Sequence, residues 1–287
     1  VYPGTYTGTG DNVVNMMSKT VWLHSSDGPA TTIIDGENTR RVILCLNKET
    51  SASAPKIEGF TITHGRAIGN EGWANNLGGA ISTTCSPTFI DCVILDNFAE
   101  NGGALDIRMR WEQAPPSPTF IDCTITNNTA WNGGAMGTFD SNPTFTNCTI
   151  SNNTAVFDGG GIVVRGNLTV TGCMITNNIA KEYNWGGIVM WNKEDDDIVS
   201  LTNTIVCGNR PQQISAPYTD GGGNTITDDC TSDCPPDVTG DGIVDVADLL
   251  YVASYIGTDE ASADVNSDGI VDVADLLIVI GAFGPCS

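Results

Sequence analysis

The sequence predicts an all-β solenoid followed by a small all-α module. Three observations carry that prediction: a repeat with centres 25 to 32 residues apart, a Gly-Gly marker in successive repeats, and an acidic twelve-residue loop that occurs twice near the C-terminus. The strings Pro118-Thr-Phe-Ile-Asp-Cys123-Thr-Ile-Thr-Asn-Asn, Pro143-Thr-Phe-Thr-Asn-Cys148-Thr-Ile-Ser-Asn-Asn and Val170-Thr-Gly-Cys173-Met-Ile-Thr-Asn-Asn align without gaps after the cysteine. Further copies centre on Cys92, on Phe60 and on Thr204. The unit is too long for a leucine-rich repeat and too rich in β-branched residues for a helical one. Short strands broken by Gly and Asn remain.

Each unit also carries a Gly-Gly before a short apolar strand, at Gly78, Gly102, Gly133, Gly159 and Gly186. Two or three strands per turn, stacked at about 4.8 Å, give a right-handed parallel β-helix of roughly eight coils over residues 1–229. Stacking places equivalent residues above one another. Cys92, Cys123, Cys148 and Cys173 are therefore expected as an interior column of thiols, continued by Phe60 and Thr204. Their parallel side chains make bridging awkward even at disulfide distance. Asn97, Asn127, Asn152 and Asn177 are expected to form a ladder of hydrogen-bonded amides at a turn. The chain looks like the pectate-lyase-like superfamily of parallel β-helices, and its Gly-Gly and Asn-Asn punctuation is also similar to bacterial surface and outer-membrane β-helix repeats.

That superfamily raises the question of polysaccharide cleavage. With Ile81, Leu105, Met136, Ile162 and Val189 facing inward, the outward columns read Ser82, Asp106, Gly137, Val163, Met190 and Thr84, Arg108, Phe139, Arg165, Asn192. A glycosidase needs two carboxylates flanking the scissile bond, and a lyase needs a base with a cation beside the uronate. Asp106 stands nearly alone on this face. Asp106, Arg108 and Arg165 are thus weak catalytic candidates, the arginines reading equally well as ion-paired surface residues. Trp131, Phe157 and Trp185, with Trp73 above, precede the Gly-Gly turns and form an expected aromatic column. It either stacks sugars or covers the turn edge of the core. Two insertions, Met109 to Ser117 and Asn192 to Val199, should project from one flank.

From residue 230 the composition changes. The loops Asp237 to Asp248 and Asp264 to Asp275 share the string Asp-Gly-Ile-Val-Asp-Val-Ala-Asp-Leu-Leu, and ten acidic residues with no basic one lie between Asp237 and Asp275. Oxygen side chains at loop positions 1, 3, 5, 9 and 12 with glycine at 6 are the pattern of a calcium loop, because calcium takes six to eight oxygens and the chain must turn sharply to supply them. The predicted ligands are Asp237, Thr239, Asp241, Ile243 through its carbonyl, Asp245 and Asp248. In the second loop they are Asp264, Asn266, Asp268, Ile270 through its carbonyl, Asp272 and Asp275. Two calcium ions are expected.

Each loop runs into an apolar helix, and Pro235 to Gly284 resembles the type I dockerin module of secreted polysaccharide-degrading bacteria. Asp at position 12 agrees with that family; Thr239 departs from its usual Asn or Asp. The resemblance implies docking on a cohesin-like protein through positions 10 and 11, here Val246, Ala247, Val273 and Ala274. These are apolar where the family often shows Ser or Thr. Because the two pairs are identical, two docking orientations are expected.

Cys230, Cys234 and Cys286 bracket this module, and a bridge from Cys286 to one of the others would staple its ends, which argues for export to an oxidising compartment. A start at Val1 predicts a processed or truncated chain. Thirty-four acidic against twelve basic residues, a net charge of −22, exclude a general nucleic-acid or anionic-membrane binder, and no apolar run long enough to insert in a membrane is present. The expected setting is the extracellular space or the surface of a bacterium. The expected role is a non-catalytic scaffold or adhesin that assembles through the calcium module, with a cohesin-like protein or with further copies of itself head to tail. The alternative is a polysaccharide lyase or hydrolase carried on a cohesin-bearing complex, with a polysaccharide ligand.

Overall fold

The computed structural model describes the chain except for residues 18, 47–53, 69–75, 110–113, 183–184, 192–196, 216, 231–235, 240–242, 261, 267 and 286–287. It divides into two compact units, Val1–Asp228 and Asp229–Ser287.

The first unit is a parallel β-solenoid with four walls. One coil shows the plan: Thr119–Ile121 in wall 1, Thr124–Thr126 in wall 2, Thr129–Asn132 in wall 3 and Met136–Phe139 in wall 4. The walls hold eight, nine, five and seven strands, and all pairing within them is parallel and in register. Because wall 3 starts late, at Arg66–Ala67, and walls 3 and 4 end before the last strands of walls 1 and 2, the regular solenoid amounts to about six turns with partial coils at its ends, slightly fewer than the roughly eight expected.

Each sharp corner is made by a residue in the left-handed region, which the repeat supplies as Asp, Asn or Gly because these adopt positive φ at low cost. Asp91, Asp122, Asn147 and Gly172 do so between walls 1 and 2. Asp96, Asn127, Asn152, Asn177 and Gly208 do so between walls 2 and 3, and Gly78, Gly102, Gly133 and Gly159 between walls 3 and 4. The second glycine of the pair answers to space rather than torsion. A Cβ on Gly134 would lie 2.8 Å from the Thr154 backbone of the next coil.

Inward columns follow from the register. Phe89, Phe120 and Phe145 stack with ring centroids 5.1 and 4.7 Å apart, planes within 10°. Beside them run Ile94, Ile125, Ile150 and Ile175, and small Ala99, Ala130, Ala155 and Ala180 let the third wall approach closely. Cys92, Cys123, Cys148 and Cys173 form a buried column of free thiols. Each of the four donates to the carbonyl two residues back, at 3.2 to 3.3 Å. Cys148 and Cys173 also accept the backbone N–H of the cysteine one coil before, and Thr204 Oγ1 takes that place for Cys173.

The amide ladder is one residue away from its expected register. Asn127, Asn152 and Asn177 occupy the exposed left-handed corner, equivalent to Asp96, while the buried ladder runs Asn97, Asn128, Asn153, Asn178, Asn209. Within it each residue donates both its backbone N–H and Nδ2 to the Oδ1 of the next, as Asn128 does to Asn153 at 2.9 and 3.0 Å. Gln213 closes the column by offering Oε1 to Asn209 in the same way. Every amide of this ladder is thereby satisfied, which a low-dielectric interior demands.

A disulfide that the repeat pattern did not suggest links Cys45 to Cys85 across 40 residues, with Cα atoms 5.9 Å apart. Cys207 and Cys230 are each disulfide-bonded as well. Cys234 and Cys286 lie outside the described residues.

The second unit has its own small core, Val244, Val252, Ala263, Val271 and Val279. Two nine-residue helices, α1 (Val246–Ser254) and α2 (Val273–Gly281), pack on it. Ile243–Val244 pairs antiparallel with Gly284–Pro285, and the Gly257–Thr258 segment exchanges bonds with Val271 at 2.8 Å.

Candidate calcium and docking site

The two helices begin the same way because the loop sequence dictates it. Asp245 and Asp272 are N-caps whose side chains accept from Ala247 and Ala274, both at 2.6 Å. Asp248 and Asp275, at the third helical position, reach back to the cap amides at 2.9 and 2.8 Å, completing capping boxes. The other oxygen of each takes the backbone N–H of loop position 3, Thr239 at 2.9 Å and Asn266 at 3.1 Å. Thr239 adds its hydroxyl to Asp248 Oδ1 at 2.8 Å.

Asp248 and Asp275 are fully buried. Burial pushes their carboxyl groups up, but the backbone N–H groups of Asp245 and Thr239 on one, and of Asp272 and Asn266 on the other, outweigh it and hold both below the ordinary carboxylate range. The second loop wraps tightly: Asp264 accepts from the Asp268 and Gly269 amides at 3.1 and 2.8 Å, and Gly269 at position 6 has a φ of 94°.

These donors fit calcium by chemistry, being hard oxygens with position 12 already fixed and ionised. Among the described residues no three carboxylates converge on one point; what is set is the turn that arranges them around one. Asp241 lies outside the described residues. Ile243 and Ile270 would add carbonyl oxygens at position 7. A bound divalent cation would supply the positive charge that no Lys or Arg after Arg210 provides.

On the outside of the module the two copies present the same face. Val246 and Val273 are 57% and 62% exposed, and Leu250 and Leu277, one helical turn on, 65% and 62%. Ala247 and Ala274 lie exposed between them. The sequence pointed to the Val-Ala pairs; Leu250 and Leu277 extend each into an apolar stripe, a signal available in the i, i+4 spacing.

On the solenoid the candidate residues fall differently. The wall 4 register pairs Ile162 with Ile188 and Val163 with Val189, so Ile188, and not Val189, faces the core. The outer columns accordingly read Ser82, Asp106, Gly137, Val163, Val189 and Thr84, Arg108, Phe139, Arg165, Trp191. Gly186-Gly187-Ile188 is one residue shorter than the Gly-Gly-Ala-Ile of the earlier coils, which accounts for the shift. Asp106 is 1% exposed, folded into the corner between walls 3 and 4 beside Gly102.

Both its oxygens are held by Arg108, at 2.8 and 3.1 Å. Burial raises its pKa, with Arg108 and then Arg41 opposing. Arg108 also lies 4.3 Å over the Phe139 ring, and Phe139 meets Trp191 edge-on at 5.6 Å. Arg165 pairs with Asp140 at 3.0 Å. Trp131 and Phe157 are backbone-bonded neighbours on successive coils, but Trp185 sits one place along, level with Asp158. Trp73, Asn192 and the charged tips of both insertions lie outside the described residues.

No curated protein and no solved structure is found to match the chain. A family model does match its C-terminal part, the Dockerin type I domain over residues 235–284. Dockerin type I domains bind calcium and cohesins and are typical of extracellular or cell-surface assemblies. The two capped loop-helix copies and the family match agree, and residues 235–284 of this chain are a dockerin type I domain behind a parallel β-solenoid.

Proposed function

We propose that this chain is a secreted, non-catalytic scaffold or adhesin, a β-solenoid held in a cohesin-bearing assembly by its calcium-loaded dockerin. The observation that supports it is the duplicated exposed stripe, Val246-Ala247 with Leu250 and Val273-Ala274 with Leu277, on a dockerin type I module. Apolar side chains of this size on a small unit mark a partner surface. The solenoid adds a negative argument. A general acid has to reach its glycosidic oxygen, and Asp106 is buried with both oxygens committed to Arg108. Capture of a cohesin module by the full chain in calcium, lost in chelator, tests the docking step. Failure to capture any cohesin in calcium would refute it.

A polysaccharide lyase or hydrolase on the same assembly is favoured by the Arg108, Phe139, Trp191 surface of wall 4. New reducing ends or unsaturated products from pectin or alginate, abolished by Asp106→Ala or Arg108→Ala, would establish that reading instead. Head-to-tail association draws on an apolar hollow of about 240 Å³ in the first coils, between Val1, Tyr6, Val14, Leu23, Ile34 and Phe60. Light scattering that shows calcium-dependent growth of the full chain would support it.

A further inference from the structure

Where wall 3 begins, the solenoid gathers arginines. Arg66–Ala67 is the first strand of that wall, and the coil before it turns through Gly36–Arg40 instead of adding a strand. The step leaves an open cavity of about 220 Å³ lined by Asp11, Thr39, Arg40, Arg41, Arg66 and Ile68. Three of the chain's twelve basic residues meet there, in a molecule of net charge −22.

The guanidinium groups are held rather than loose. Arg41 is 7% exposed and donates Nε and Nη2 to the Leu77 carbonyl at 3.0 and 2.8 Å, with Nη1 on Asn12 at 3.3 Å. Burial lowers its pKa, with Asp106 and Asp11 pulling the other way. Arg40 gives Nη2 to Glu37 at 3.2 Å, yet its Nη1 is buried with no hydrogen-bond partner. Arg66 lies over the Phe98 ring, 5.1 Å from its centroid, and lines the cavity.

A buried donor without an acceptor costs free energy that an arriving acceptor would recover. Stacked guanidinium forks match planar, two-oxygen acceptors better than point charges. Beside them Ala67 and the 45% exposed Ile68 give an apolar rim and Thr39 a hydroxyl. The volume lies below the roughly 300–1,000 Å³ of ordinary ligand pockets, a size for one small group.

We propose that this cavity binds a carboxylate, presented by a small acidic ligand such as an acidic sugar or a simple organic acid. The site is separate from the dockerin, so its failure would leave calcium-dependent docking untouched.

The test is calorimetric or NMR titration of the full chain, at fixed saturating calcium, with glucuronate, acetate, glucose and inorganic sulfate. Binding of glucuronate or acetate in the millimolar range or tighter, weakened about tenfold by loss of one charge-assisted fork in Arg66→Gln, is the expected result. Arg66→Lys should restore only part of it. Glucuronate well ahead of acetate would identify an acidic sugar; equal affinities would mean that the carboxylate alone is read. Arg66 is exposed, and an unchanged melting curve and calcium titration will show that its variants fold. No carboxylate binding, sulfate preferred over both carboxylates, glucose bound as well as glucuronate, or affinity unchanged in Arg66→Gln would each overturn the proposal.

Discussion

The solenoid and the dockerin solve one problem in opposite ways. Both must bury polar groups in a core too thin to ignore them. The solenoid does it with neutral amides and thiols that satisfy one another from coil to coil, so adding a coil extends the same chain of bonds. The dockerin buries two carboxylates, Asp248 and Asp275, on backbone N–H groups, among ten acidic residues between Asp237 and Asp275 whose mutual repulsion a bound cation would relieve. Stability in the first unit is therefore a property of the sequence alone. In the second, bound calcium is expected to share it.

The sharpest way to break this contrast is chelation. Removing calcium should abolish the helical circular-dichroism signal of α1 and α2 while the β signal of the solenoid persists. Calorimetry that finds no calcium uptake by the full chain would refute the reading of the loops. The converse comes next in size. Phe120→Ala, at the centre of the stacked rings, should cost the solenoid about 3–5 kcal/mol in urea unfolding with the calcium titration unmoved.

A finer cut separates the two asparagines of one corner. Asn153→Ala strands the Asn128 donors and the Ile125 carbonyl and should cost about 1–3 kcal/mol or more. Asn152→Gly, at an exposed corner with a φ of 56°, should change stability by about 0.5 kcal/mol or less. Equal effects would mean that the ladder carries no special share of the stability.

In the dockerin, Leu250→Ser with Leu277→Ser should leave melting in calcium nearly unchanged while cohesin capture falls far more than in either single variant. The smallest effect is on acid stability. The Asp248 and Asp275 pKa values are lowered, so their contribution is present above the ordinary carboxylate value of about 3.9 and is lost as the pH falls through the still lower folded values. Asp275→Asn should flatten that acid limb; an unchanged limb would place the acid sensitivity elsewhere.

The sequence made walls and loops legible to different depths. Cysteine and Gly-Gly spacings sufficed for the coil plan because stacking forces equivalent residues into columns. The Asn-Asn pair misled by one place, since a left-handed corner and a buried ladder both favour asparagine and the letters are identical. Asp96-Asn97 held the answer: aspartate suits only the first role, because a buried ladder needs a donor as well as an acceptor. The Gly186-Gly187-Ile188 turn, one residue shorter than its predecessors, hid the shift that moves Trp191 beside Phe139.

Nothing in the repeat spacing joined Cys45 to Cys85, or Arg40 to Arg66. The dockerin was the most legible part, because metal coordination fixes residue type at every second position. What it could not reveal was how far the exposed apolar stripes extend beyond the Val-Ala pairs.

One corner of the coil varies in length. Between wall 4 and wall 1 the chain crosses from Phe139 to Thr144, and from Val164 to Leu168, in a few residues, yet takes the stretch from Arg108 to Thr119 and from Met190 to Val199 without disturbing the register on either side. Length can drift there while the other three corners keep theirs. Insertions and deletions in that position are nearly invisible to the core, so relatives of this solenoid should differ most in what they display along that single edge.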